Sequence, residues 1–167
     1  MGLPYKVATL LFCFSDDDRI LLMERTREPN RGYWSPPGGK LLIEQGESPH
    51  AAACREAAEE LGVRVAVSDL HLTGIVAESG YGGAAHWLMF LFELKRRINA
   101  LPPEHPEGRF GYFSRLELDS LKNIPQTDRE RIWPLFWEHR GGFFAAACQC
   151  QADGTNIWTV EESIRKT

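Results

Sequence analysis

A chain of 167 residues with 43% hydrophobic and 25% charged side chains has the composition of a folded globular protein, long enough for one domain with a substantial core. Its formal charge of −4, from 19 basic and 23 acidic residues, argues against nonspecific binding to duplex nucleic acid, which leans on a basic surface. Arginine outnumbers lysine 14 to 5, and arginine is the better bidentate partner for a small phosphorylated molecule.

Taken in chain order, residues 5–14 (YKVATLLFCF) and 19–25 (RILLMER) flank an acidic SDDD turn and predict a hairpin of two core strands. The apolar run VATLLFCF stops at once in that turn, so it reads as a strand rather than a signal peptide. No apolar run approaches the length of a membrane span, and a cytoplasmic location is expected. The stretch REPNRGYWSPPGGK then predicts an irregular loop whose paired glycines let backbone come close to a ligand.

Ser48 followed by Pro49 is a helix start, and Gly62 is the matching stop. Between them Cys54, Ala57, Ala58 and Leu61 recur at helical spacing as the expected buried stripe, which leaves Glu56, Glu59 and Glu60 together on the opposite, solvent side. Like charges at that spacing cost an isolated helix roughly 0.2–0.5 kcal/mol per pair, so the cluster needs a reason.

Further on, residues 63–77 read as two short strands and HWLMFLFEL (86–94) as a strand buried on both faces. GYFSRLELDSL (111–121) reads as a strand running into a short helix. Thr127 with Glu130 forms a candidate capping box for a helix to about Arg140, kinked at Pro134 and ended by Gly141-Gly142. FFAAACQCQ and TNIWTVEES are expected to pair as a terminal hairpin around Asp153-Gly154. Cys13, Cys54, Cys148 and Cys150 lack the spacing of a zinc site and are expected to stay free thiols. Without repeats or linkers, residues 1–167 are expected to form a single mixed α/β domain, with a core over about 5–125 and the segment 126–167 packed on it.

Read outward from the three acids, the string runs Gly39, seven residues, Glu47, seven residues, then REAAEELGV from Arg55 to Val63. This resembles the Nudix box, the signature of the Nudix hydrolases, whose second half is matched at every fixed position. The lead-in RTREPNRGYWSPPGG resembles the family's arginine, G-x-W and P-G-G segment. One departure stands out: the family has five residues between the glycine and the first glutamate, where Lys40 to Gly46 makes seven.

The resemblance implies an α/β/α sandwich around a mixed sheet and an Mg²⁺-dependent pyrophosphohydrolase, with Mn²⁺ able to substitute. It makes Glu56, Glu59 and Glu60 metal ligands, one of them also the general base, and gives the Gly39 carbonyl to the same ion. Gly38, Glu47, Arg55 and Gly62 become structural residues of the motif, and Glu107, ahead of Glu104 and Glu93, the candidate for a distant metal-binding glutamate. Arg25, Trp34 and Tyr81 are candidate substrate contacts, Arg25 for phosphate, and Tyr33, Trp34 and Trp87 are the aromatics that could stack a base. The expected partner is a small nucleotide, with no membrane and no duplex nucleic acid; a homodimer is left open. Such a cation reverses the electrostatics of the helix and turns crowded carboxylates into an asset.

The expected substrate is a (deoxy)nucleoside triphosphate, oxidised ones included, cleaved to monophosphate and pyrophosphate. Tyr81, eighteen residues after Val63, is instead a mark of dinucleoside polyphosphate hydrolases, and ADP-ribose or nucleotide sugars are further alternatives. From other classes, a non-catalytic nucleotide-binding or regulatory module would be expected to have lost box acids. An isoprenoid diphosphate isomerase would need a pocket cysteine that Cys54, on the expected buried stripe, does not supply.

Overall fold

The computed structural model describes residues 2–167. Two sheets carry the fold. The larger has the order β4-β1-β6-β5-β8-β9, built from β1 (Tyr5–Phe12), β4 (Gly38–Lys40), β5 (Leu70–Tyr81), β6 (Ala85–Leu94), β8 (Phe143–Cys150) and β9 (Asn156–Ile164). Its β1–β6 and β5–β8 pairs are parallel and the others antiparallel. The smaller, antiparallel sheet places β2 (Ile20–Arg25) between β3 (Trp34–Ser35) and β7 (Gly108–Phe113). Three α-helices follow from α1 (Pro49–Leu61) to α2 (Arg115–Ser120) and α3 (Trp133–Glu138).

Alternation along β1 divides the core in two. Leu11 and Cys13 pack with Ala53, Ala57 and Leu61 of α1, whereas Phe12 and Phe14 pack with Trp133, Leu135 and Phe136 around α3. Strand β6 repeats the pattern, with Leu91 on the α3 side and Phe92 and Leu94 on the α1 side. Helices therefore cover both faces of a mixed sheet, the sandwich that the resemblance implied.

Several expectations are corrected. Residues 5–14 and 19–25 do not pair as a hairpin: β1 enters the large sheet and β2 the small one, joined only by the Phe14–Ile20 bridge. Burial of β1 beside β6 satisfies its backbone groups without β2. The glycine-rich loop contains β3 and β4, because Gly38 and Gly39 pair with Leu10 and Thr9. Residues 63–77 give one long strand after a short 3₁₀ turn (Val67–Asp69) rather than two strands.

The Thr127–Glu130 capping box does not form. Thr127 has helical dihedrals with no side-chain cap, Glu130 turns to Gln126 and Asn156, and the backbone from Asp128 to Ile132 is a π-turn leading into α3. Pro134 lies inside a continuous helical run (126–138), directly after the π-turn, so the irregularity expected near it takes the form of that π-turn. The terminal hairpin forms as expected, β8 and β9 pairing antiparallel from Phe143–Ile164 to Cys150–Asn156. All four cysteines are free, with Cys148 and Cys150 Sγ atoms 3.8 Å apart. Among the described residues, no helix is long and apolar enough to cross a membrane.

Candidate active site

Helix α1 begins and ends where local chemistry dictates. The Ser48 side chain accepts the Ala51 N–H, Pro49 opens the first turn, and Gly62 closes the helix with φ 68°. Its buried faces are wider than the expected stripe. Ala53, Ala57 and Leu61 meet the core, while Ala52, Glu56 and Glu60 are also buried, Glu56 at 8% and Glu60 at 3% exposure. Ala58 is exposed, Cys54 half-buried, and only Glu59 of the three acids faces solvent. What covers the acids is β4, folded back along the helix.

Two glycines permit that approach. At Gly38 (φ +144°) a Cβ would overlap the Thr9 carbonyl oxygen and lie 3.0 Å from Leu10 Cα. At Gly39 a Cβ would overlap the Glu56 carboxyl, 2.6 Å from its Cδ. Gly38 N–H donates to Glu60 Oε2 at 2.8 Å. Burial pushes the Glu60 carboxyl up to about 8 against that hydrogen bond, and burial likewise raises Glu56 against the neighbouring Arg55 guanidinium.

Arg55 ties the motif together. Its Nε donates to Glu47 Oε1 at 2.8 Å, and its Nη1 to Glu56 Oε1 at 2.6 Å and Glu59 Oε2 at 3.1 Å. Glu47 in turn accepts the Leu42 N–H at 2.8 Å, and the arginine holds its carboxyl below the usual range. The extended spacing before Glu47 contains a 3₁₀ turn (Ile43–Gln45) ended by Gly46 at φ 68°, outside the helix and β4. Among the described residues, no three acidic, histidine or cysteine side chains already enclose a cation-sized space; Arg55 bridges two of the acids instead.

A cavity of about 490 Å³ opens beside these acids. Glu56, Glu59, Glu60, Gly38 and Gly39 line it, and so do Arg25, Arg27, Lys40 and Glu107. Arg25 Nε donates to the Pro29 carbonyl, and Arg27 pairs with Glu107 at 3.5 Å. Glu107 lies close enough for its charge to raise both Glu56 and Glu60.

The cavity continues across the sheet to Ala8 on β1, Trp87 and Met89 on β6, and Glu78 and Tyr81 on β5. From β4 to β5 there are three strand spacings, about 14 Å. Tyr81 donates its hydroxyl to Asn30 Oδ1 at 2.9 Å, which pins the 26–33 loop over the cavity. Trp34 is not among the lining residues; its ring stands edge-on to Phe113, centroids 4.8 Å apart.

Glu78 and Asp128 are cavity residues that sequence reasoning missed. Both are buried, at 3% and 7% exposure, and line the same cavity close enough for the Glu78 charge to act on Asp128. The available signal was parity: Glu78 shares a strand face with inward-pointing Val76. Burial pushes Glu78 up to about 7, weakly opposed by the Thr127 hydroxyl, and burial together with the Glu78 charge raises Asp128 well above the ordinary aspartate value.

Glu78 therefore keeps, in the folded protein, a proton that the unfolded chain releases at its ordinary value of 4.5. The penalty for ionising it is absent below that value and complete above about 7, so stability falls as pH rises through this window. Wild type is expected to lose about 3 kcal/mol between pH 4.5 and 8 that Glu78→Gln retains. Melting curves of the two proteins across that range that ran parallel would refute this.

The family model for the NUDIX domain matches residues 4–135. The chain belongs to the Nudix family, hydrolases that act on pyrophosphate bonds. Among its relatives, the RNA pyrophosphohydrolase of Bartonella quintana is 24% identical over 165 residues, covering 85% of this chain and 94% of that one. The RNA pyrophosphohydrolase of Gluconobacter oxydans is 36% identical over 64 residues, so the match spans only 38% of this chain and 36% of the relative. A putative 8-oxo-dGTP diphosphatase 2 of Mycobacterium tuberculosis is 48% identical over 48 residues, 28% of this chain and 33% of its own. In structure, a mutator MutT protein from Bacillus halodurans superposes with a TM-score of 0.71 at 24% identity, over 93% of this chain and 97% of its own, a likeness of fold alone.

Proposed function

We propose that the protein is a divalent-cation-dependent pyrophosphohydrolase that cleaves (deoxy)nucleoside triphosphates to monophosphate and pyrophosphate. The observation that supports this most is the layout of the cavity. Acids and cationic side chains share one end; Trp87 and Met89 on β6 and Tyr81 on β5, two and three strand spacings (about 10 and about 14 Å) from β4, line the other. A triphosphate has the same polarity, a highly charged tail and a flat base. The relatives' names, RNA pyrophosphohydrolase and 8-oxo-dGTP diphosphatase, agree with this class of substrate.

Glu56, Glu59, Glu60 and the Gly39 carbonyl would hold Mg²⁺, or Mn²⁺ in its place, with Glu107 beside them. The residues fit a hard cation: every donor is oxygen, and only a glycine lets the β4 backbone lie this close to the Glu56 carboxyl. When bound, such an ion neutralises phosphate charge and acidifies water. Arg25, Arg27 and Lys40, which line the cavity, would meet phosphate oxygens there. One of the box carboxylates accepts the proton of the attacking water. The water oxygen bonds to phosphorus, and the bridging P–O bond breaks to release pyrophosphate.

The test is a panel of nucleoside triphosphates, diadenosine tetraphosphate, ADP-ribose, nucleotide sugars and 5′-triphosphorylated RNA, each with Mg²⁺ and with Mn²⁺. Triphosphates should be the best substrates. Diadenosine tetraphosphate cleaved at least ~10-fold more efficiently would make Tyr81 the better guide, a difference of about 1.4 kcal/mol in transition-state binding.

Metal dependence has its own readout. At a concentration near one hundred times Kd, Mg²⁺ should stabilise the fold by about 2.7 kcal/mol through mass action. Turnover should vanish after exhaustive chelation. Full activity in chelator, or a melting temperature indifferent to Mg²⁺, would refute the cation assignment.

A further inference from the structure

We propose that Tyr81 is a positioning residue: through Asn30 and the Pro29 carbonyl it sets the Arg25 guanidinium against the substrate phosphates. This rests on the pyrophosphohydrolase reading for the presence of a phosphate. It goes beyond that reading in giving Arg25 a support and Tyr81 a role other than touching substrate.

The connection from β2 to β3 is held mostly by bonds of short range. Gly32 N–H donates to the Arg25 carbonyl at 2.7 Å, and Tyr33 N–H to the Asn30 carbonyl at 3.0 Å. Its first residue is fastened beside β7, where Thr26 donates its hydroxyl to the Pro106 carbonyl and its N–H to the Glu107 carbonyl, both at 2.9 Å. Among the described residues, the bond from Tyr81 to Asn30 is the one hydrogen bond that joins residues 28–33 to any part of the chain outside β2 and this connection. It spans the two sheets, since the loop belongs to the small one and Tyr81 ends β5 in the large one, and both residues line the cavity. Asn30 has φ 65°, a left-handed conformation that asparagine tolerates better than most residues, so it suits both the turn and the bond.

The next link is one residue away. The Pro29 carbonyl accepts from Arg25 Nε at 2.9 Å, and among the described residues neither Nη nitrogen of that arginine has a hydrogen-bond partner. Two open Nη groups therefore stand at the cavity wall, close enough to the acids for the charge of Arg25 to act on Glu60. A guanidinium held at Nε keeps its remaining N–H groups in one fixed plane, which suits two phosphate oxygens. Unseat the loop, and the substrate must order that long side chain itself, which weakens binding. Burial pushes the Tyr81 phenol up to about 12, so its hydroxyl keeps its proton through the neutral range and donates it to Asn30. A phosphate oxygen would have to displace Asn30 to receive that proton. The sequence alone hides the relay, because Asn30 and Tyr81 lie fifty-one positions apart.

Steady-state kinetics on the best substrate of the panel, together with amide hydrogen exchange in the absence of nucleotide, test this. Tyr81→Phe keeps the ring and should raise KM roughly 3–10-fold, the scale of one hydrogen bond, with kcat within about twofold of wild type. Asn30→Gly, which is unstrained at that φ, should do the same. Either variant should speed exchange of the Gly32 and Tyr33 amides at least ~3-fold. Arg25→Gln should raise KM as well. Adding Tyr81→Phe to it should then change KM by less than about twofold, because the arginine through which the tyrosine acts is gone.

Exchange at Gly32 and Tyr33 that ignores both variants would overturn the proposal. So would losses that add in the Arg25→Gln, Tyr81→Phe double variant, since Tyr81 would then touch substrate itself. A lower melting temperature with KM unchanged would make the tyrosine a purely structural residue, and the proposal would fall. The substrate panel separates this failure from failure of the triphosphate reading. Diadenosine tetraphosphate or ADP-ribose as the best substrate sinks the triphosphate reading and leaves the relay, because a phosphate for Arg25 is common to them all. A triphosphatase whose KM is indifferent to Tyr81→Phe sinks the relay alone.

Discussion

Glu60→Gln is expected to fold as well as wild type and to lose at least ~10²-fold in kcat, the scale of removing one preorganised charged or polar group from a reacting centre. The Gly38 N–H now bonded to Glu60 at 2.8 Å can bond the glutamine carbonyl instead, so β4 stays seated on α1. The amide has the volume of the neutral acid that burial favours at this position. What it lacks is the charge that attracts a hard cation. Fold preservation here thus follows from burial and a retained hydrogen bond, not from relief of repulsion on an exposed face. Melting temperature without metal, and steady-state turnover with Mg²⁺, check the two halves separately. A variant that keeps most of its activity, or that melts well below wild type, would show that Glu60 has another role.

Gly38→Ala should give the largest loss of stability of any single methyl added in this site. At φ +144° only glycine is at ease, and an alanine there costs of order 1–3 kcal/mol in backbone strain. Its Cβ would also overlap the Thr9 carbonyl, and backbone cannot swing aside as a side chain can. Overpacking of that kind adds typically 1–3 kcal/mol. The sum, about 2–6 kcal/mol, is a large part of the stability of an ordinary domain. For this length of chain it corresponds to a fall in Tm on the order of 10 °C. Lifting β4 also withdraws the N–H from Glu60, so activity should fall in the fraction that remains folded. Gly82→Asn is the control: its φ is +58°, which asparagine tolerates, and nothing lies within 4 Å of its Cβ position. Equal melting temperatures for Gly38→Ala and Gly82→Asn would disprove this account of β4.

The elements legible in the chain were those whose signals are local. Ser48, Pro49 and Gly62 bound α1 because a cap acts on backbone groups within one turn of itself. The terminal hairpin was legible for the same reason, its two strands being joined by a short turn at Asp153-Gly154. Where local signals competed with packing, packing won: Thr127 and Glu130 have the residues of a capping box, yet the segment enters a π-turn that buries Asp128 and Ile132.

Periodicity placed Glu56, Glu59 and Glu60 on neighbouring positions of one helix, and the motif around them pointed to their chemistry. It did not say which side of that helix would be covered. Faces follow from the 3.6-residue repeat, whereas coverage depends on a strand that returns from elsewhere, here β4 lying over Glu56 and Glu60. The same limit applies to β1, whose parallel partner β6 lies some eighty residues away and gives no local trace. It applies most strongly to the cavity. By itself the sequence determined the helix, its acids and the family they mark. Only the tertiary structure decided that Glu56 and Glu60 are buried and that Glu78 and Asp128 share a cavity, because burial and long-range pairing arise from strand order, which no short stretch of chain encodes.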